Sequence, residues 1–426
     1  MKKIFITVSA ICLVLSAKAQ FTYDYLKAAD EYYQKADYYS AAQYYEKYLT
    51  TNGVMKNGEF DPYTVKTTSV KARKEVSSKE QAIYNLAESY RQLNYYVKAE
   101  PFYEEAASFD GPKFSLADYH YATTLRALGK FEEAEKAFRQ FLAEYTVADK
   151  YTEAANREIM NLQYIQVQMR KKDLNQYTIN PADAFNAEGA SYAPVWTSAN
   201  TVYFTTTRPD GTSPKKEYIN KVYEAAYTDG AFANAAKVAL TQPAEVHQGG
   251  TSISADGNTM YLTRWTIGEG SKSASIYMSR KAGDTWSEPS LLNTMVNAMG
   301  ANNKQPLVMP DGKLLFASDR EGGQGGYDLW MADINASGET TNVTNLGVAI
   351  NTKYNEEAPA YHAASNTLVF STDGRVGMGG YDLFFSKWDN GKWSDPENFG
   401  YPVNSIKNDM YFASRVPQII FYRTYC

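Results

Sequence analysis

Two cysteines and three histidines in 426 residues make reactive side chains scarce in this chain. Cys12 sits in an apolar run at the extreme N-terminus and Cys426 is the last residue. Once that run is removed, no intramolecular disulfide can form. His120, His247 and His362 stand in unrelated segments without paired ligand spacing, which poorly supplies a metal centre or a proton relay. An excess of one charge is also missing, since 43 Lys and Arg against 48 Asp and Glu leave a net charge of −5. Such a mixed, mildly acidic surface carries no footprint for nucleic acid. Past the N-terminus no stretch approaches the ~20 apolar residues that a spanning helix needs. No Gly-x-Ser-x-Gly elbow occurs, because Gly250-Thr251-Ser252 does not complete one, and Ser254-Ala255-Asp256-Gly257 breaks the spacing of sialidase-type boxes. The chain is therefore expected to be no enzyme and to carry no cofactor or metal. With 44% hydrophobic and 21% charged residues it is expected to fold, as two or three domains.

The N-terminus reads as an address. Lys2 and Lys3 precede an apolar run from Ile4 to Ala17, and Ala17-Lys18-Ala19 is a small-x-small cleavage site. Residues 1–19 are read as a secretory signal peptide, cleaved after Ala19, and Ile11 before Cys12 is a poor fit to a lipidation box. Losing Lys2, Lys3 and Lys18 takes the net charge from −5 to −8.

Composition changes near residue 173: 4 of the 27 glycines and 3 of the 15 prolines precede it. Gly and Pro interrupt helices and make turns, so residues 20–172 are expected to be helical and 173–426 to be built of short strands. The first half repeats itself. Ala41, Ala99 and Ala134 are each followed four residues later by an aromatic ring, Tyr45, Tyr103 and Phe138. Twelve residues upstream of each stands Ala29, Ala87 or Ala122, and nine upstream Tyr32, Tyr90 or Leu125. The steps are 58 and 35, as if the polar stretch Thr51 to Lys74 were inserted into the first. Lys150 to Met169 reads as a closing helix. This pattern resembles the tetratricopeptide repeat, a helix-turn-helix of about 34 residues. The resemblance implies a solenoid with a protein-binding groove lined by Tyr23, Asp30, Tyr33, Tyr84, Glu88, Arg91, Tyr119, Thr123 and Arg126.

The second half repeats at a longer period. Val202-Tyr203-Phe204, Met260-Tyr261-Leu262, Leu314-Leu315-Phe316 and Leu368-Val369-Phe370 recur at steps of 58, 54 and 54. Asp256-Gly257, Asp311-Gly312 and Ser365-Asn366 precede the last three as turns. Gly325-Gly326-Tyr327-Asp328-Leu329 matches Gly379-Gly380-Tyr381-Asp382-Leu383, and Trp286-Ser287-Glu288-Pro289 matches Trp393-Ser394-Asp395-Pro396. Short strands and tight turns at this period predict propeller blades. Asp319, Arg320, Gly326, Asp328, Asp373, Arg375, Gly380 and Asp382 are read as structural residues of the blade turns, the acids capping the backbone and pairing with Arg320 or Arg375. The expected fold class is thus α + β multidomain: a helical solenoid, then an all-β propeller of four blades and the start of a fifth. That fifth blade opens at Asn408-Asp409-Met410-Tyr411-Phe412, and from Arg415 onward the blade pattern is lost, so the propeller is read as incomplete, with residues near Tyr177 to Asn180 available to complete it.

The blade pattern resembles the WD40-like repeats of TolB-type propellers. The order of signal peptide, tetratricopeptide repeats and such blades resembles exported Bacteroidota envelope proteins of the OmpA family and type IX secretion-associated group, without the C-terminal OmpA-like domain. The resemblance implies a periplasmic protein–protein interaction scaffold associated with the outer membrane, a component of secretion or gliding machinery, whose partners are envelope proteins. Peptidoglycan is implied as a partner only for longer relatives. The alternative it leaves open is an envelope glycan- or peptidoglycan-binding module that uses Trp265, Trp330 and Trp388.

Overall fold

A computed structural model of the chain describes residues 25–51, 70–171, 177–180, 182–209, 218–268, 271–335 and 338–414. The expected signal peptide, Tyr23, most of the expected insertion and the tail from Arg415 lie outside the described residues. The chain divides into two compact units between Gln166 and Val167, a few residues before the compositional break.

Seven α-helices occur among the described residues: α1 (25–34), α2 (Tyr38–Thr51), α3 (Val70–Gln92), α4 (Tyr96–Ala106), α5 (Ala117–Ala127), α6 (Phe131–Glu144) and α7 (Lys150–Met169). Helix α3 begins at Val70, so the last residues of the expected insertion are helical. The first six helices form three hairpins with one turn geometry. Ala36, Asn94 and Gly129 take φ of 57, 59 and 77°. The next N–H, of Asp37, Tyr95 and Lys130, closes onto the carbonyl of Tyr32, Tyr90 and Leu125 at 3.0, 2.8 and 3.0 Å. This is a left-handed helix stop, which needs a residue tolerant of positive φ and satisfies carbonyls the helix end leaves open. The alanines of the repeat, Ala29, Ala41, Ala87, Ala99, Ala122 and Ala134, are all buried, and so are Tyr45, Tyr103 and Phe138. Small side chains let each helix pair approach closely, and the rings fill the space between pairs.

The second unit contains four small antiparallel sheets in a propeller-like arrangement. The first holds β1 (Ser191–Ser198), β2 (Thr201–Thr206), β3 (Lys221–Thr228) and β4 (Ala231–Lys237). The second holds β5 (His247–Ile253), β6 (Thr259–Gly268), β7 (Ser271–Ala282) and β8 (Thr285–Trp286), with β9 (Ser290–Leu291) also pairing β7. The third holds β10 (Asn303–Val308), β11 (Lys313–Ser318), β12 (Asp328–Ile334) and β13 (Thr340–Asn345). The fourth holds β14 (Glu356–His362), β15 (Thr367–Thr372), β16 (Asp382–Asp389) and β17 (Lys392–Trp393), with β18 (Glu397–Asn398) pairing β16. The four hydrophobic triplets lie on the second strands, whose side chains build cores between neighbouring blades: Tyr261, Phe316 and Trp330 in one, Leu315, Phe370 and Phe384 in the next.

Each first strand carries a bulge at the same place. Ala193, Gly250, Gln305 and Ala358 have φ of 52, 56, 55 and 49°, at the register shifts of β1, β5, β10 and β14. Tyr411, at φ 63°, continues the series 53 residues after Ala358. A bulge inserts an unpaired residue and increases local twist, which suits a strand that must turn toward the next blade. Asn408 stands 53 residues after Asn355, the same step, although residues 408–414 form no strand. Residues 177–180 form no strand, contrary to the expectation that they complete the last blade.

Candidate functional site

The blade turns and blade junctions are held by side-chain amides. A backbone N–H just before each third strand, or a few residues into it in β7, donates to the side chain at the head of the following blade: Asn220 to His247 Nδ1 at 3.2 Å, Ala274 to Asn302 at 3.2 Å, Tyr327 to Asn355 at 3.0 Å and Tyr381 to Asn408 at 3.0 Å. A second set, Asn297, Asn351 and Asn404, accepts the N–H of Ile276, Leu329 and Leu383 and donates back to the same residues' carbonyls. The second set escaped the sequence reading; its signal was the asparagine recurring after Val296, Ile350 and Val403 at steps of 54 and 53.

The acids and glycines of the turns have the structural roles expected of them, with one correction. Asp319 accepts the backbone N–H of Asn302 at 2.6 Å, and Asp373 that of Asn355 at 2.9 Å. Arg320, however, donates to the carbonyls of Met295 and Val296 and lies over the Phe316 and Trp330 rings, while Arg375 donates to the carbonyls of Ala349 and Ile350. Chain reversal places each guanidinium over the loop entering the blade, where unpaired carbonyls need donors more than the acids do. Burial lowers Arg320 to about 10. Asp328 and Asp382 cap the glycine-rich turns, accepting the N–H of Gln324 and of Met378 and Gly379. Burial raises Asp382 to about 6, only partly offset by those bonds. A Cβ on Gly326 or Gly380 would stand 2.4 or 2.3 Å from the Asn355 or Asn408 oxygen, so both glycines make room for the amide of the next repeat. No group of three or more His, Cys, Asp or Glu near enough to hold a metal occurs among the described residues.

The expected groove residues lie on the first helices of the hairpins, and all of the described ones are half-buried. Tyr23 lies outside the described residues. Several of the others have partners inside the fold. Tyr45 donates to Asp30 at 2.6 Å and Tyr103 to Glu88 at 2.5 Å, each pair fifteen residues apart. At the same separation the third hairpin has Phe138, which has no hydroxyl, and Thr123, which bonds to the carbonyl of His120. Glu88 also accepts from Arg91 at 2.5 Å. Burial works against the Glu88 carboxylate, but the bonds from Arg91 and Tyr103 outweigh it and hold the acid at about 2. Arg126 pairs with Glu158 on α7. Tyr84 is pushed up to about 12 by burial and by Glu88, and Tyr33 is raised by the same two causes.

These groups form a continuous strip. Glu88 and Tyr84 act on Tyr33, Tyr151 acts on Tyr84, and Glu158 and Tyr151 act on Tyr119. Tyr119 stacks edge-on against Tyr151 at 5.2 Å and His120 at 5.5 Å. Three members were missed in the sequence: His120, Tyr151 and Glu158. Glu158 could have been found, because it follows Thr123 by the repeat step of 35. His120 is lowered to about 4, chiefly by burial and then by Arg91.

On the propeller-like unit a second cluster gathers at the bulges. Lys304 lies 2.8 Å from Glu357 and 3.5 Å from the centre of the Tyr327 ring. Tyr381 donates to Glu357 at 3.0 Å, and Gln305 donates to Glu357 and to the Tyr411 hydroxyl. The three tryptophans do not form one face. Trp330 is buried at 8% exposure under Arg320, and Trp265 is half-buried against His247. Trp388 is 44% exposed and edge-on to Trp393 at 4.9 Å. No helix among the described residues is long and apolar enough to cross a membrane.

No family model and no curated protein matches the chain. Solved structures similar to it include prolyl endopeptidases, at 15% identity over 48% of this chain and 26% of theirs, with a TM-score of 0.29. The chain thus spans about a quarter of their length. An α-L-arabinofuranosidase from Lactobacillus brevis is similar at 12% identity over 55% of this chain and 82% of its own, with a TM-score of 0.39. An endo-arabinase from Bacteroides thetaiotaomicron is similar at 14% identity over 51% and 83%, with a TM-score of 0.35. The expectation that the chain is no enzyme is corrected by this comparison, whose structures are hydrolases.

Proposed function

We propose that this chain is an exported interaction scaffold of the bacterial periplasm, associated with the outer membrane, whose helical unit is a tetratricopeptide-like solenoid gripping envelope or secretion-machinery proteins. The observation that carries this reading is the strip of Tyr33, Tyr84, Glu88, Arg91, Tyr119 and Arg126 along the first helices. Tyr and Arg anchor protein interfaces, because rigid rings and planar guanidinium groups give much contact for little lost entropy. The repeated hairpin stop and the buried alanine–aromatic ladder support the solenoid. Association with a type IX secretion or gliding assembly rests on the order of segments in the sequence. A photo-crosslinking residue placed at Tyr33, Tyr84 or Tyr119 in expressing cells should yield discrete adducts with envelope proteins, weakened by Arg91→Glu. Adducts no different from those formed at exposed Glu104 on α4 would count against the groove.

Exposed Trp388, edge-on to half-buried Trp393, favours a second reading, a glycan-binding face. Co-sedimentation with peptidoglycan that Trp388→Ala abolishes would support it, and adducts to protein alone would not.

A further inference from the structure

Blade two departs from its neighbours at its head. Asn302, Asn355 and Asn408 stand three residues before the left-handed residues Gln305, Ala358 and Tyr411, and His247 stands three before Gly250. Across the ladder, Asn302 and Asn355 donate their amides to Asp319 and Asp373 at 2.8 and 3.0 Å. The same place in blade two is Trp265, in register with His247 and stacked on its ring at 5.4 Å. An imidazole lying on an indole thus replaces an amide fastened by a carboxylate, while the bond to the preceding blade is kept. His247 Nδ1 accepts the Asn220 backbone N–H at 3.2 Å, and the Asn220 side-chain nitrogen lies 2.9 Å from the same atom. With two N–H groups aimed at it, Nδ1 is bare, and the neutral ring carries its proton on Nε2.

We infer that the joint between blades one and two is an acid-operated switch: a proton on His247 Nδ1 turns the acceptor into a donor and releases the Asn220 N–H, a change that the asparagine joints of the other blades cannot make. Asn220 supplies the second state. Its side-chain oxygen accepts the Tyr192 hydroxyl at 2.8 Å, and Tyr192 packs on Tyr411 at 5.3 Å. Turned over, that amide would accept the new Nδ1–H and donate to the Tyr192 oxygen, while the Asn220 backbone N–H would lose its acceptor. The charged groups on the surrounding elements have other partners among the described residues. Glu188 before β1 accepts Tyr218, Arg208 after β2 lies over the Phe204 and Tyr223 rings, and Lys221 on β3 donates to the Arg208 carbonyl. Arg264 on β6 is bound to Gln248 and Glu288, and Lys304 on β10 to Glu357. Glu224 on β3 acts on Tyr203, and Glu245 in the loop before β5 is exposed. Burial alone lowers the His247 ring below its ordinary 6.5. The unfolded chain therefore binds this proton more readily than the closed joint does. The contribution of the joint is full above pH 6.5 and is lost as pH falls below it.

Hydrogen–deuterium exchange on the purified full chain tests this, because the molecule carries its own controls. Between about pH 7.5 and about pH 4.5, with rates corrected for their intrinsic pH dependence, protection of the Asn220 amide should fall about tenfold, the worth of one such bond. The amides of Tyr327 and Tyr381, held by asparagines, should keep theirs, and His247→Asn should make Asn220 behave as they do. Nitrogen–proton spectra of the three histidine rings give a second readout that needs no variant to retain full stability. The ring absent from His247→Gln should carry its proton on Nε2 at neutral pH and titrate below 6.5. A proton on Nδ1, a titration at or above 6.5, equal protection of Asn220 at both pH values, or the same loss in His247→Asn would each overturn the inference.

Discussion

Asn351 offers the sharpest test of how the blades are joined. Its side chain is buried, accepts the Leu329 N–H at 2.9 Å, and donates to the Leu329 carbonyl at 3.0 Å and to Asn345 at 2.9 Å. In Asn351→Ala the two acceptors keep other donors, since Leu346 N–H also reaches the Leu329 carbonyl and Gly347 N–H reaches Asn345. The Leu329 N–H loses its only described acceptor. An orphaned buried donor costs ~1–3 kcal/mol, and the vacated amide volume adds to it, for a total of about 3 kcal/mol. For a unit of this size that lowers the melting temperature by roughly 6–12 °C. All six tryptophans lie after residue 173, so tryptophan fluorescence reports this unit without interference from the helices. Thr344→Ala, on the exposed face of β13, should move the midpoint far less. Asn351→Asp gives a signed control: it keeps an acceptor for Leu329 but turns a carboxylate toward two oxygens. It should be unstable at neutral pH and recover in mild acid, where the protonated carboxyl can donate. If Asn351→Ala melted with Thr344→Ala, the amides would be passengers of the fold and not its joints.

Four further outcomes follow from the same geometry. Gly379→Ala would set a Cβ 1.7 Å from the Lys407 carbonyl oxygen, a clash between backbones with no side chain to yield, so its fluorescence midpoint should fall by at least as much as that of Asn351→Ala. Asp382 binds its proton more tightly folded than unfolded, at about 6 against 3.8; wild type should therefore gain on Asp382→Asn by up to roughly 3 kcal/mol as pH falls from 6 to 4, and parallel curves would refute the burial argument. Glu88 has the opposite sign, held at about 2 against 4.5, so its contribution is full above pH 4.5 and lost as pH falls toward 2; the stability gap between wild type and Glu88→Gln, followed by helical circular dichroism, should close over that range. Ala36→Gly should stabilise the first hairpin by about 1 kcal/mol, because the alanine holds φ 57°, and a lower melting temperature would mean that the turn is not strained.

Much of the architecture was legible in the chain because it rests on short-range pattern. The alanine–aromatic spacing is set by one helical hairpin, and the triplets by one strand, so periodicity alone located α7 from Lys150 to Met169 and the four second strands. The glycine–tyrosine–aspartate turns were legible for the same reason, their capping bonds spanning three or four residues. What only the tertiary structure decided were the interactions between repeats. Asp30 and Glu88, which the repeat pattern placed in a groove, accept hydroxyl groups from Tyr45 and Tyr103 on the facing helix. Arg320, adjacent to Asp319 in sequence, reaches carbonyls some two dozen residues back. In blade three the hydroxyl that caps the next bulge, supplied by Thr205 and Thr263 in the first two blades, is absent at Ala317, and the Gln305 amide accepts the Ala358 N–H instead. A local pattern states which residues must be apolar, small or left-handed. Which donor meets which buried carbonyl depends on how neighbouring repeats are packed together, and a buried polar group takes whatever partner that packing brings within about 3 Å.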